Sequence, residues 1–193
     1  MTQPDQPQFY LITPEAFELS FAATLARILD AVPIACVRLD LATRDDDTIA
    51  RAADALREVT HARDVALVLS GATELAERLG LDGVHLGPGQ PVRAARKALG
   101  PDAIVGAYSG ASRHDGLTAG EAGADYIAFD AAETEIFTWW SDMIELPVVA
   151  EKALTTERIE TLAPVTDFFG IGDEIWSNTD PLAALNDLTA PLR

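Results

Sequence analysis

Four carboxylates stand at or just past the ends of short apolar runs in this sequence: Asp40 after 34–39, Asp130 after 125–129, Glu151 after 147–150 and Asp173 shortly after 167–171. Gathered at one rim, such acids suit two kinds of chemistry. Their oxygens match a hard divalent cation, for which Asp130, Glu151 and Asp173 are the candidate metal ligands. With ring faces from Tyr108, Trp139, Trp140 and Trp176 they also match a cationic, aromatic ligand. Asp130 is in addition a candidate catalytic base, provided burial raises its pKa. The plainer alternative is a set of solvated acids with no ligand. Arg38 is the opposing charge and a candidate catalytic or ligand-binding residue. An arginine at a strand end is costly to bury unless paired, so it either meets a ligand or pairs internally with Asp40 or Glu151. His85, between Val84 and Leu86, reads as a core histidine rather than a catalyst. His61 and His114 read as surface residues, and the Trp139–Trp140 pair reads as packing or a subunit contact before a ligand platform.

The elements that must position these residues follow a regular beat. Apolar runs at 9–13, 34–39, 65–69, 83–86, 103–108, 125–129, 147–150 and 167–171 are too short for helices, and several are β-branched or aromatic. Their continuous apolarity predicts strands buried on both faces of a parallel sheet. Between them, amphipathic segments predict helices at 14–30, 45–61, 72–79, 92–99, 112–122, 131–143, 155–162 and 181–188. Asp45–Asp46–Asp47 suits a helix N-terminus, and Gly80, Gly100 and Gly123 suit helix ends. A closed barrel and a doubly wound open sheet would both produce this beat. No linker or break in composition divides residues 1–193, so the chain reads as one domain.

Composition narrows the function classes. Thirty-one acids against 14 bases leave a formal charge of −17, which disfavours nucleic acid and anionic membrane surfaces as partners. With 48% hydrophobic residues the chain can bury a sizeable core. Cys36 is the single cysteine, so no intrachain disulfide or multi-thiolate zinc site can form, and a reducing cytoplasm fits. Residues 1–8 lack the basic-then-apolar pattern of an export signal. No apolar run approaches the ~18 residues of a membrane span.

Three stretches resemble one family. The run DGVHLG at 82–87, followed by Ala94, Ala95, Arg96, Leu99 and Gly100, is similar to the DGVHLGQ-D motif of thiamine phosphate synthases and the related TenI-type thiazole tautomerases. AGADYIAF at 122–129, after Ile104, Val105 and Gly106, resembles their GADYVGFGP segment, and LPVVA at 146–150 resembles IPVVAIGG. YLIT at 10–13 and Arg38 agree too. The matches run in order over nearly the whole chain. They imply a compact (β/α)8 TIM barrel with its site at the C-terminal strand ends. They also imply a small-molecule ligand and make a homodimer compatible.

The departures from the family pattern fall at its functional positions. The family joins an aminopyrimidine diphosphate to a thiazole phosphate, with Mg2+ and basic residues holding the leaving pyrophosphate. Its Gln-x-Arg-x-Lys after strand 2 is Cys36-Val37-Arg38-Leu39-Asp40 here. Its Asn-Asp after strand 3 is Ser70-Gly71, and its second metal-binding Asp is Gln90. The serine after strand 5 is Tyr108 or shifts to Ser109. The lysine-bearing diphosphate loop is Asp130 to Thr138 without a lysine. The Gly-Gly after strand 7 is Lys152-Ala153, behind Glu151, and strand 8 is followed by Gly172-Asp173-Glu174. The candidate ligand contacts, from the resemblance and from the acids at the strand ends together, are Arg38, Tyr108, Ser109, Asp130, Glu151, Lys152, Gly172 and Asp173; no family metal ligand is retained, and the resemblance implies Mg2+ only if the ancestral activity persists. It points to a divergent member that has lost thiamine phosphate synthesis and serves as a binding or regulatory module. The alternatives are residual synthase or tautomerase activity, or a changed metal-dependent activity at the acidic mouth.

Overall fold

In the computed structural model, which describes residues 6–192, every predicted apolar run becomes a strand within two residues of its expected bounds. The strands are β1 (Gln8–Ile12), β2 (Ile34–Leu39), β3 (Ala66–Ser70), β4 (Gly83–Leu86), β5 (Ile104–Gly110), β6 (Tyr126–Asp130), β7 (Val148–Glu151) and β8 (Phe168–Ile171). Each pairs in parallel with its sequence neighbours, and β1 pairs with β8 (Tyr10 opposite Gly170), so the sheet closes. Closure decides against the open doubly wound sheet. The expectation that residues 1–8 carry no export signal falls largely on residues outside the described range.

Helices alternate with the strands: α1 (Phe21–Ala31), α2 (Asp46–His61), α3 (Thr73–Leu79), α4 (Val92–Leu99), α5 (Arg113–Glu121), α6 (Thr134–Met143), α7 (Thr156–Leu162), α8 (Asp173–Trp176) and α9 (Pro181–Leu188). Asp45 caps α2 by accepting the Thr48 N–H at 2.9 Å. Two helices start later than the sequence predicts. Thr13 N–H donates to Arg38 O and Ala42 N–H donates to Glu15 O, so the chain stays extended along the β2 loop before α1 begins. Ala131 N–H donates to Glu151 O, continuing the sheet past β6 and delaying α6 to Thr134. The single turn of α8 was not anticipated.

Strand alternation sorts side chains into two apolar layers. Leu11, Val37, Leu67, Val84, Ile127 and Phe169 face the helices within the main core. Tyr10, Cys36, Val68, Tyr126, Ala128 and Val149 fill the barrel interior. Two tyrosines fit because β5 offers glycine: a Cβ on Gly106 would lie 2.0 Å from Tyr126 Cζ.

Three aspartates at the N-terminal face are spoken for by the sheet. Asp82, Asp125 and Asp167 precede β4, β6 and β8, and each accepts a backbone N–H from the preceding strand, from Leu67, Val105 and Val148 respectively. A carboxylate accepting a backbone N–H contributes on the order of 1.5–3 kcal/mol. Part of the acidic excess is therefore structural and lies away from the mouth.

Candidate functional site

The inward positions of β2 are Cys36 and Arg38, and the chain turns outward at Asp40. Arg38 is 4% exposed and Glu151, at the end of β7, is 1% exposed. Arg38 donates through Nη1 to Glu151 Oε2 at 2.9 Å and through Nη2 to Oε1 at 3.4 Å. Asp40 Oδ2 stands 3.5 Å from Arg38 Nε, which has no hydrogen-bond partner. Burial, the largest single influence, lowers the guanidinium pKa, but Glu151, Tyr10, Tyr126 and Asp40 together outweigh it and the group is held charged. Of the two readings of Arg38, the internal pair is the one present, and the pair still lines the mouth.

Below the pair, buried rings form a polar chain. Tyr10 and Tyr126 hydroxyls lie 2.8 Å apart, and the Tyr126 hydroxyl lies 2.9 Å from His85 Nδ1. Burial, with the charges of Arg38 and Lys152, pushes the His85 pKa well below the ordinary imidazole range. His85 is thus a neutral, hydrogen-bonded histidine that touches the mouth cavity from beneath. Burial also raises the tyrosine hydroxyls and the Cys36 thiol, so none of them is an anion.

On the β5–β7 side, Tyr108 O–H donates to Asp130 Oδ1 at 2.6 Å. Desolvation first, then Asp130, raises the Tyr108 pKa. Lys152 Nζ lies 3.7 Å from the centroid of the Tyr108 ring, a cation–π contact. Ser109 occupies the bulge between Tyr108 and Gly110 and lines neither mouth cavity.

Two cavities open at the mouth. The larger, about 680 Å3, lies over β2 to β5 and is bounded by Arg38, Asp40, Arg44, Ser70, His85, Gln90, Tyr108 and Lys152. The smaller, about 270 Å3, lies between the loops after β1, β7 and β8, among Thr13, Glu15, Gly172, Asp173 and Glu174. Arg38, Asp40 and Lys152 belong to both and form the wall between them.

The loops after β7 and β8 meet at Glu174. Its Oε1 accepts the Leu154 N–H at 3.1 Å and its Oε2 accepts the Gly172 N–H at 3.0 Å. Asp173, the acid singled out by sequence, is exposed beside it. The β7 loop turns through Lys152 (φ 64°) and Ala153 (φ 50°), both left-handed.

Ser70, Gly71 and Gln90, which the resemblance sets at magnesium positions, offer no carboxylate to that ion. Gln90 Nε2 donates to Gly71 O at 2.9 Å and its Oε1 accepts the Gly87 N–H at 2.7 Å, so the amide ties the β3 loop to the β4 loop. Ser70 Oγ is buried without a partner, and Gly71 holds φ 69°. Among the described residues no group of three or more His, Cys, Asp or Glu is placed to hold a metal. Asp130, Glu151 and Asp173 do not converge: the first accepts from Tyr108, the second from Arg38, and the third lies in the smaller cavity.

The tryptophans correct the expectation of ring faces at the rim. Trp140 is buried against Phe129 and donates to Leu146 O, while Trp139 stacks under Arg113. Trp176 packs on Phe21 and donates to Ile12 O. Trp139 and Trp140 thus serve the packing of α6, and Trp176 anchors the single turn of α8 to the end of β1. Sequence reasoning missed the loop-tying role of Gln90 and the seating of Glu174. A glutamate two residues after the strand-8 glycine was the only available sign of the latter.

A closed parallel barrel with cavities at its C-terminal mouth defines a (β/α)8 protein. Residues 9–166 match the family described as "Thiamine monophosphate synthase". A Rhodospirillum centenum protein named "Thiamine-phosphate synthase" is 43% identical over 202 residues, covering 96% of this chain and 98% of that one. One of the same name from Erythrobacter litoralis is 36% identical, covering 91% of each. The thiamine phosphate pyrophosphorylase structure from Pyrococcus furiosus superposes with a TM-score of 0.82 at 19% identity, over 96% of this chain and 95% of that one. The chain belongs to the thiamine monophosphate synthase family. No helix among the described residues is long and apolar enough to cross a membrane.

Proposed function

We propose that this protein binds a small ligand in the barrel mouth and no longer joins an aminopyrimidine diphosphate to a thiazole phosphate. The observation that carries this reading is the Arg38–Glu151 pair at 2.9 Å. The coupling step places growing negative charge on a departing pyrophosphate, and cations aimed at it lower that barrier. Arg38 is the one family cation retained, and its charge is already met by a buried carboxylate. Asp40 stands where the family's lysine would, and the Asp130 loop adds acids where the diphosphate would lie. The magnesium positions hold Gly71 and Gln90, whose backbone and amide tie the loops together. A tautomerase reading would need Asp130 as its base, and that carboxylate already accepts the Tyr108 hydroxyl.

The test is an end-point assay with both substrates and magnesium, measuring thiamine phosphate and released pyrophosphate. The Rhodospirillum centenum relative serves as comparison. The expected result is no product above a no-protein control. Sustained turnover would overturn the reading.

A second reading, retained synthesis, is favoured by the 43% identity to that relative over 96% of this chain. It would put the diphosphate against Arg44 and Lys152, the other cations lining the larger cavity. Under it, Lys152→Ala abolishes turnover.

A further inference from the structure

His85 sits on the floor of the larger mouth cavity, and its two ring nitrogens meet different surroundings. Nδ1 lies 2.9 Å from the Tyr126 hydroxyl, which lies 2.8 Å from the Tyr10 hydroxyl. Nε2 has no partner within the protein. Among the described residues the buried side-chain atoms without a partner are Arg38 Nε, Arg57 Nε and Ser70 Oγ, so Nε2 is open to the cavity that His85 lines. We propose that the two tyrosines fix His85 as its Nε2–H tautomer, and that this N–H donates to an uncharged acceptor, a ring nitrogen or carbonyl oxygen, of a ligand in the larger cavity.

The tautomer follows from counting protons. Tyr10 is 2% exposed and Tyr126 is 8% exposed, and neither hydroxyl has a partner outside this chain of three groups. If Tyr10 donates to Tyr126 and Tyr126 donates to Nδ1, both O–H groups are met and the ring proton sits on Nε2. If Nδ1 carries the proton and donates to Tyr126, one of the two hydroxyls is left without an acceptor. A buried hydroxyl in that state bears its full desolvation cost, so the first arrangement prevails. Arg38 and Lys152 line the same cavity and, with burial, keep the ring neutral. His85 therefore offers a donor at Nε2 and no base. An anion on this floor would lose its hydration without a free positive charge to face, because Glu151 engages Arg38 and Lys152 lies over the Tyr108 ring.

Ser70 marks the same floor independently. It lies opposite His85 in the β3–β4 register, lines the same cavity, and its buried Oγ has no partner. Gln90 bonds Gly71 O and the Gly87 N–H, which holds the ends of both strands. The His85 ring is stacked on Tyr126 at 26°. Two neighbouring polar groups are thus held in place and left unmet, which is rare for buried groups that nothing completes.

The inference rests on the reading that the mouth takes a small ligand, but not on the loss of synthesis. Turnover in the coupling assay would sink that loss and leave this proposal standing. The full chain, isotope-labelled at the histidine nitrogens, is compared by NMR as wild type, Tyr10→Phe and Tyr126→Phe. Wild-type His85 should show Nε2 protonated and Nδ1 unprotonated. Tyr10→Phe should keep that pattern, since Tyr126 still donates to Nδ1, whereas Tyr126→Phe should let both tautomers appear. The labelled protein is then titrated separately with thiazole phosphate and with aminopyrimidine diphosphate. At least one should shift the Nε2–H signal, and His85→Phe should weaken its binding at least about tenfold. A protonated Nδ1 in the wild type, or an unchanged tautomer in Tyr126→Phe, would overturn the proposal. So would binding that leaves Nε2 unmoved, equal affinity in His85→Phe, or no response to either probe. Should Tyr126→Phe or His85→Phe fail to fold, the spectra and titrations of the wild type and Tyr10→Phe decide by the same criteria.

Discussion

Arg38 and Glu151 meet at 2.9 Å inside the barrel, from strands separated in the sheet by β1 and β8. The pair ties opposite parts of the mouth together and neutralises the family's retained arginine. Removing one partner from such a pair strands a buried charge. Arg38→Met should therefore lower the unfolding free energy by about 3–5 kcal/mol, whereas Arg38→Met with Glu151→Leu should cost far less than the two single changes summed. Urea denaturation of the three variants measures this. Additive losses would show that the two side chains are not coupled.

His85 should make the protein acid-sensitive. Its folded pKa is held well below the ordinary range by burial, then by Arg38 and Lys152. In the unfolded chain it takes a proton near pH 6.5, so its contribution is complete above about that pH and falls below it, by up to about 1.4 kcal/mol per unit. Denaturation midpoints for wild type and His85→Asn, compared from pH 7.5 to 5, should give a flatter profile for the variant. Parallel profiles would assign the loss to other groups.

Gly106 is a packing requirement of the ring chain beneath the mouth. An added methyl would meet Tyr126 Cζ at 2.0 Å and Tyr126 Oη at 2.3 Å. Gly106→Ala should displace Tyr126 from Tyr10 and His85 and destabilise by about 1–3 kcal/mol or more. A thermal melt together with His85 ring NMR shifts reports both effects. An unchanged His85 signal would mean that the sheet moves instead of the ring.

Restoring carboxylates at the family's magnesium positions should not restore a magnesium site. Gly71 has φ 69°, a left-handed conformation that strains aspartate, and Gln90 supplies the amide that bonds Gly71 O. Gly71→Asp with Gln90→Asp should lose about 1–3 kcal/mol and gain no magnesium-dependent rise in melting temperature. A saturable rise would show that the missing acids alone had disabled the site.

The acidic rim illustrates how far residue type carries. Sequence placed Asp40, Asp130, Glu151 and Asp173 at strand ends, and the structure places them there. It could not say what each would face, because that depends on neighbours distant in the chain: Tyr108 for Asp130 and Arg38 for Glu151. Glu174 was passed over beside Asp173 because the two are adjacent acids in sequence. Only the single turn of α8 points one inward and the other to solvent.

By itself, the sequence determined the strand and helix beat, since short apolar runs and amphipathic spacing are local properties of the chain. It also determined the family, through motifs in order along most of its length. The tertiary structure decided that the sheet closes, because pairing of β1 with β8 joins the two ends of the strand series. It decided the state of the site as well. Burial and pairing across the barrel set whether a charge is offered to a ligand or consumed within the fold, and both depend on contacts more than 100 residues apart, as between positions 38 and 151.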